Sequence, residues 1–225
     1  PIIIKDYYFY KMENDLGDYR RVYKKKELSK KEISDNPLEL FQNWFFEVES
    51  FGGIETNAMT ISTISKDGFP KNRVVLLKKY TWEGFIFYTN YNSNKGKEIE
   101  TNPNVCLSFF WHNLERQVII RGKAEKIPEN LSDGYFESRP DGSKLGAWAS
   151  NQSEIVPSRE YLDERLKSFE EKFKNKEIER PKHWGGFIVK PEIIEFWQGR
   201  PNRMHDRIIF SLQENFEWKI DRLAP

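Results

Sequence analysis

Apolar residues along this chain follow two rhythms. From Asn36-Pro37 onward, Leu38, Phe41, Trp44, Phe45 and Val48 recur at helical spacing, which predicts a helix with one buried stripe. Proline is tolerated in a first turn because its missing N–H has no helical partner there, and Gly52-Gly53 mark the end. The rhythm then becomes alternation: Met59, Ile61 and Thr63 take one face, Thr60 and Ser62 the other, and Asp67-Gly68 supplies a turn. Further strands are predicted over 73–80, 85–90, 105–111 and 117–126, the last two joined by the polar piece 112–116. The chain closes with strands over 186–189, 193–197, 207–212 and 218–223. Helices are expected at 93–101, 129–138 and 159–174, the last from the spacing of Leu162, Leu166, Phe169 and Phe173. Turns, not helices, join most of the strands, so the sheet should be antiparallel. The class is α+β, with a barrel-like core and peripheral helices. Residues 1–35 carry charge and tyrosine without a clean period. They read as an N-terminal arm, partly mobile or draped over a body of residues 36–225.

Composition narrows the function classes. The 36 basic and 35 acidic side chains nearly cancel, which argues against a nucleic-acid surface. The run Lys24, Lys25, Lys26, Lys30 and Lys31 is broken by Glu27, and Glu32 follows it, so it reads as a solvated face. Cys106 is the only cysteine, and His112, His183 and His205 lack metal-ligand spacing, so no disulfide and no metal site are expected. Charge appears at Lys5-Asp6, too early for a signal-peptide core, and no apolar run approaches the ~20 residues of a membrane span. A cytoplasmic protein is expected. Aromatic residues reach 15%, enough to fill a core and still stack on a flat ligand.

Dinucleotide, P-loop, zinc and nucleophile-elbow motifs are absent. Basic residues instead stand at strand edges and beside turns. Arg73 and Lys78 are five residues apart, on opposite faces of an ideal strand, and could serve two neighbouring anions. Ser93-Asn94-Lys95-Gly96 opens a predicted helix, as a phosphate cradle or as an ordinary cap. Tyr135 and Arg139 lie one helical turn apart, followed by Ser143 in a glycine-containing turn; an exposed helix end would read the same way. Arg203 and His205 would point the same way if extended, and a histidine so close to an arginine is an acid–base or substrate-binding candidate.

Taken in order, the strings Arg73-Val74-Val75-Leu76-Leu77-Lys78, Phe87-Tyr88-Thr89-Asn90, Leu114-Glu115-Arg116-Gln117-Val118, Tyr135-Phe136-Glu137-Ser138-Arg139-Pro140, Gly146–Ser153, Ile194–Gly199 and Arg203-Met204-His205-Asp206-Arg207 resemble the pyridoxine (pyridoxamine) 5'-phosphate oxidase family, as does the closing Trp218–Pro225. The resemblance implies a split β-barrel that holds FMN at a homodimer interface, both subunits contributing to each site. It implies oxidation of pyridoxine or pyridoxamine 5'-phosphate to pyridoxal 5'-phosphate, with dioxygen reoxidising the flavin to give hydrogen peroxide. Positions similar to the family's FMN contacts are Arg73, Val74, Leu77, Lys78, Tyr88, Thr89, Ser93, Lys95, Gln117, Gln152, Ser153, Trp197 and Arg207. Those similar to substrate contacts are Lys78, Tyr135, Arg139 and Ser143 for the phosphate, with Arg203 and His205 beside the pyridine ring as the catalytic pair. Arg20, Arg21 and Tyr23 match an arm that can fold over the site.

Two positions depart from the family pattern. Asn94 stands where a second basic residue is common, with Lys97 a possible substitute from the next turn, and Met204 replaces a commoner leucine. Two other readings remain: a flavin-binding split barrel with another task, or a basic-arm interaction protein. The first has no use for the Tyr135–Ser143 and Arg203–His205 clusters, and the net charge of +1 speaks against the second.

Overall fold

In the computed structural model of the protein, residues 16, 21–29 and 33–225 are described. Helix α1 (Pro37–Ser50) starts on Asn36, whose side chain accepts the amide N–H of Leu38, the expected form of an N-cap. Strands β1 (Ala58–Ile64), β2 (Pro70–Leu76), β3 (Lys79–Thr81) and β4 (Gly84–Asn90) follow. Next come α2 (Asn94–Thr101), β5 (Asn104–Trp111) and β6 (Arg116–Lys126). Three helices, α3 (Glu129–Glu137), α4 (Asp141–Ala149) and α5 (Arg159–Phe173), lead to β7 (Trp184–Gln198), β8 (Asp206–Leu212) and β9 (Trp218–Leu223).

All nine strands belong to one antiparallel sheet in the order β2-β1-β5-β6-β7-β4-β3, with β8 and β9 branching from β7. The sheet curls as a split barrel around a core in which Phe41, Ile61, Phe85, Phe87, Leu107, Phe109, Val118, Ile120, Phe196 and Phe210 are fully buried. Phe41 of α1 fills the interior, its ring 5.0–5.9 Å from those of Phe45, Tyr80, Phe85, Phe109 and Trp111. Emptying such a position costs about 3–5 kcal/mol. Among the described residues no helix is long and apolar enough to cross a membrane.

Strand β7 decides where the site lies. The sequence pattern gives it as two strands, 186–189 and 193–197, on either side of Pro191. A register shift between Arg121 and Gly122, opposite Pro191, absorbs the missing donor, so the strand runs unbroken for 15 residues. Its first half pairs with β4 and its second half with β8, while β6 runs alongside both.

Two further expectations are corrected. The strand expected over 73–80 breaks at Leu77-Lys78: the Leu77 amide bonds to Asn57 and the Lys78 amide to Ile86, so the chain changes partners there. Ser143 lies in the first turn of α4, not in an open turn. That helix buries only Ala149 and so leaves no apolar stripe to read.

Candidate active site

A cleft of about 720 Å³ opens where β2, β4, α2, α3 and α4 approach one another. Arg73, Lys78, Lys95 and Arg139 line it, and among the described residues no carboxylate does. Of the residues singled out in the sequence, Val74, Tyr88, Thr89, Tyr135, Ser143, Gln152 and Ser153 also line it. The strand break at Leu77-Lys78 removes the opposite-face argument: Arg73 and Lys78 face the same space. Leu77 is a buried core residue outside the lining.

One cationic group surrounds the start of α2. Ser93 caps the helix by accepting the Gly96 N–H. Lys95 is buried, and its Nζ donates to Thr89 Oγ1 (3.0 Å) and Gln152 Oε1 (3.1 Å), both neutral acceptors. Burial, and then the neighbouring Arg73 charge, pull its pKa down to about 8. Arg73 donates through Nη2 to Glu98 Oε2 (3.0 Å) and through Nη1 to Thr63 Oγ1. Burial pushes the Glu98 carboxyl up, but bonds from Thr63, Arg73 and Lys71 outweigh that and hold it below the usual range. Glu98 thus fixes Arg73 from behind while the guanidinium still borders the cleft. Asn94 lines both the cleft and a neighbouring depression, and Lys97 lines only the latter, with Lys66 and Lys71.

The second cationic group is built on aromatic rings. Tyr88 and Tyr135 stack at 3.9 Å, and both lie nearly parallel to Trp184 at 5.5 and 6.2 Å. The Arg139 guanidinium sits 4.5 Å over the Trp184 ring. Its Nη1 is buried with no hydrogen-bond partner among the described residues, and burial lowers its pKa. Gly186 makes the stack possible, because a Cβ there would meet Tyr88 Cε1 at 2.9 Å. Trp184 was missed in the sequence, since β7 was expected to begin at Gly186. The only local sign was an aromatic residue directly before Gly185-Gly186.

The remaining candidates gather elsewhere. Gln117, Trp197 and Arg207 stand directly across from one another on β6, β7 and β8. Trp197 packs on His205 at 4.7 Å, and Tyr23 approaches both rings at 5.7 and 6.0 Å. Arg207 is held charged by Glu195, to which its Nε donates at 2.7 Å. His205 Nδ1 accepts the Arg200 N–H at 3.1 Å, which leaves the proton of the neutral ring on Nε2. Burial, and then Arg203, lower the His205 pKa and favour that neutral form. Arg203 is exposed in a 3-10 turn, with φ 56° at Asn202 and 60° at Arg203, so the segment is not extended and the alternation argument does not apply.

Residues 21–29 lie against this second region. The amide groups of Lys24 and Lys25 bond to Glu115 Oε2, Leu28 enters the core and Arg21 reaches His112. Lys25 Nζ donates to a backbone carbonyl and Lys26 pairs with Glu47, so these two lysines are engaged by the body. Arg20 lies outside the described residues. From Trp184 in the cleft to Trp197, β7 runs roughly 40 Å at a strand's usual rise. Within one chain the two regions share no lining residue.

Comparison with known proteins finds matches over most of the chain. The family model described as pyridoxamine 5'-phosphate oxidase matches residues 48–172, and the pyridoxine 5'-phosphate oxidase C-terminal dimerisation region matches residues 184–225. The pyridoxine/pyridoxamine 5'-phosphate oxidase of Flavobacterium psychrophilum is 65% identical, covering 94% of this chain and 99% of its own. That of Flavobacterium johnsoniae is 62% identical with the same coverage. Among solved structures, PhzG from Burkholderia lata, in complex with tetrahydrophenazine-1-carboxylic acid, superposes with a TM-score of 0.81 at 25% identity, covering 87% of this chain and 95% of that one. A pyridoxamine 5'-phosphate oxidase-related, FMN-binding protein from Nostoc punctiforme shares the fold, with a TM-score of 0.68 at 13% identity over 86% of this chain and 100% of that one.

Proposed function

Because this chain belongs to the pyridoxine/pyridoxamine 5'-phosphate oxidase family, we propose that its cleft holds FMN together with the phosphorylated pyridine substrate. The protein is an oxidoreductase that converts pyridoxine or pyridoxamine 5'-phosphate to pyridoxal 5'-phosphate. One observation carries the assignment of the cleft: four cations line it, no described carboxylate does, and one buried guanidinium nitrogen has no partner. Such a space is short of anions, and the flavin and the substrate each bring a phosphate. Arg73 and Lys95, with Thr89, Gln152 and Ser153, would hold the phosphate of FMN. Lys78, Tyr135, Arg139 and Ser143 would hold that of the substrate.

When bound, FMN supplies the two-electron chemistry, accepting a hydride from the substrate carbon and passing the electrons to dioxygen to give hydrogen peroxide. The chain's own task is placement. A phosphate gripped far from the reacting carbon anchors the pyridine ring and converts binding energy into orientation. His205, whose neutral ring carries its proton on Nε2, would orient the substrate's oxygen or nitrogen through a hydrogen bond, and Arg203 would cover the ring. Neither lines the cleft of its own chain, and both lie in the segment matched to the dimerisation region. This supports a homodimer in which a second copy brings Trp197, Arg203, His205 and Arg207 to the cleft, with residues 1–35 serving as a covering arm. With a single cysteine and hence no internal disulfide, the chain suits a cytoplasmic setting.

Purified protein should be yellow, and anaerobic pyridoxamine 5'-phosphate should bleach its flavin absorbance; a colourless preparation that stays inert when supplied with FMN would remove the cofactor assignment. FMN affinity should also depend on pH through Lys95. In the ligand-free protein this group is half-protonated near pH 8, and a bound phosphate favours its ammonium form. Binding should therefore take up close to one proton above pH 8, and affinity should fall by up to about tenfold per pH unit there. Calorimetry in buffers of different ionisation enthalpy measures the uptake. Lys95→Met should abolish it, and equal uptake in that variant would show that another group titrates.

A further inference from the structure

We propose that Trp184 is the positioning residue for Arg139, its indole face presenting the guanidinium to the substrate's phosphate and so setting the preference for phosphorylated substrates. This inference rests on the reading of Arg139 as a phosphate anchor. Arginines at anion sites are commonly oriented by a carboxylate, as Glu98 orients Arg73 here. Among the described residues Arg139 has no such partner. Its guanidinium lies 4.5 Å over Trp184 and 5.7 Å over Phe136, and its Nη1 is buried without an acceptor. A ring face attracts the cation without occupying any N–H, so the donors stay free for an incoming phosphate. A carboxylate in the same place would compete with that phosphate.

Trp184 is itself held through both its backbone and its ring. Arg180 Nη1 donates to the Trp184 carbonyl at 2.7 Å, while Arg180 Nε pairs with Asp133 of α3 at 2.6 Å. The Trp184 backbone N–H donates to the Pro181 carbonyl at 2.9 Å. Tyr88 and Tyr135 lie within 11° of parallel to the ring, and Phe136 meets it edge-on at 5.2 Å. Strand β7 and helix α3 therefore meet at a rigid aromatic stack that ends in a free cation.

The test is a double-mutant cycle on the FMN-loaded enzyme. Trp184→Leu should raise KM for pyridoxine 5'-phosphate roughly tenfold with a much smaller change in kcat, and Trp184→Phe about threefold. The ratio of kcat/KM for pyridoxine 5'-phosphate to that for unphosphorylated pyridoxine should fall in parallel. In an Arg139→Ala background, Trp184→Leu should add nothing further. An unchanged KM in Trp184→Leu, or the same rise with and without Arg139, overturns the inference while leaving the phosphate anchor standing. An unchanged KM in Arg139→Ala alone overturns the anchor, and the inference with it. Should Trp184→Leu not fold, Trp184→Phe decides, and a wild-type KM in it counts against the inference.

Discussion

Arg203→Ala is expected to lower turnover by roughly a hundredfold or more while leaving flavin content close to wild type. The side chain is exposed on its own protomer, and no hydrogen bond or ion pair ties it to the described residues. Two adjacent non-glycine residues with positive φ, Asn202 and Arg203, hold it there. Each such residue costs about 1–3 kcal/mol of backbone strain, a cost tolerated mainly where a side chain must be aimed. Alanine accepts positive φ no better than arginine, so the substitution neither relieves nor adds strain and stability should barely move. The loss should appear in kcat, because Arg203 is proposed to cover the pyridine ring and does not line the cleft around Lys95. His205 offers a second readout: with the neighbouring charge gone, its depressed pKa should rise. Steady-state kinetics with flavin quantified by absorbance checks the first point and NMR titration the second. Wild-type turnover would end the assignment of Arg203 to the reaction.

Arg139→Ala should raise KM for the phosphorylated substrate about ten- to a hundredfold, the worth of a charge-assisted contact of roughly 1.5–3 kcal/mol. FMN should remain bound, since the residues around Lys95 share no hydrogen bond with Arg139. The stability change separates this account from a structural one. A purely structural arginine would cost stability when removed. Arg139 instead leaves a buried donor unpaired while packing over Trp184; its removal relieves the first and loses the second, so thermal stability without substrate should change little. A KM that does not change would leave Lys78, Tyr135 and Ser143 to hold the phosphate without it.

Much of the barrel could be read from the chain because its strands bury one face and alternate. Met59, Ile61 and Thr63 are buried in β1 as the pattern required. Helix α1 announced itself through Asn36-Pro37 and a spaced apolar set, although Leu40 joined the buried face unannounced. What stayed hidden lacked a pattern. Helix α4 is rich in small residues and buries almost nothing, and the break at Leu77-Lys78 falls within an apolar run that looks continuous. Spacing suggested four groups of site residues, and the rest of the list came from ordered family strings. Neither source could divide the candidates between two regions. That division follows from β7, whose proline masked its continuity in the sequence.

The length of that strand has a consequence for how the enzyme can fail. If β7 carries Trp184 into its own cleft and Trp197 toward a neighbour's, every centre is assembled from two polypeptides. A chain lacking Arg139 and a chain lacking Arg203 would each form a defective enzyme alone. Paired with one another, they concentrate both faults in one centre and leave the other whole. Injury to this protein is then a property of the couple: two damaged genes can complement, and a single sound chain has no centre of its own.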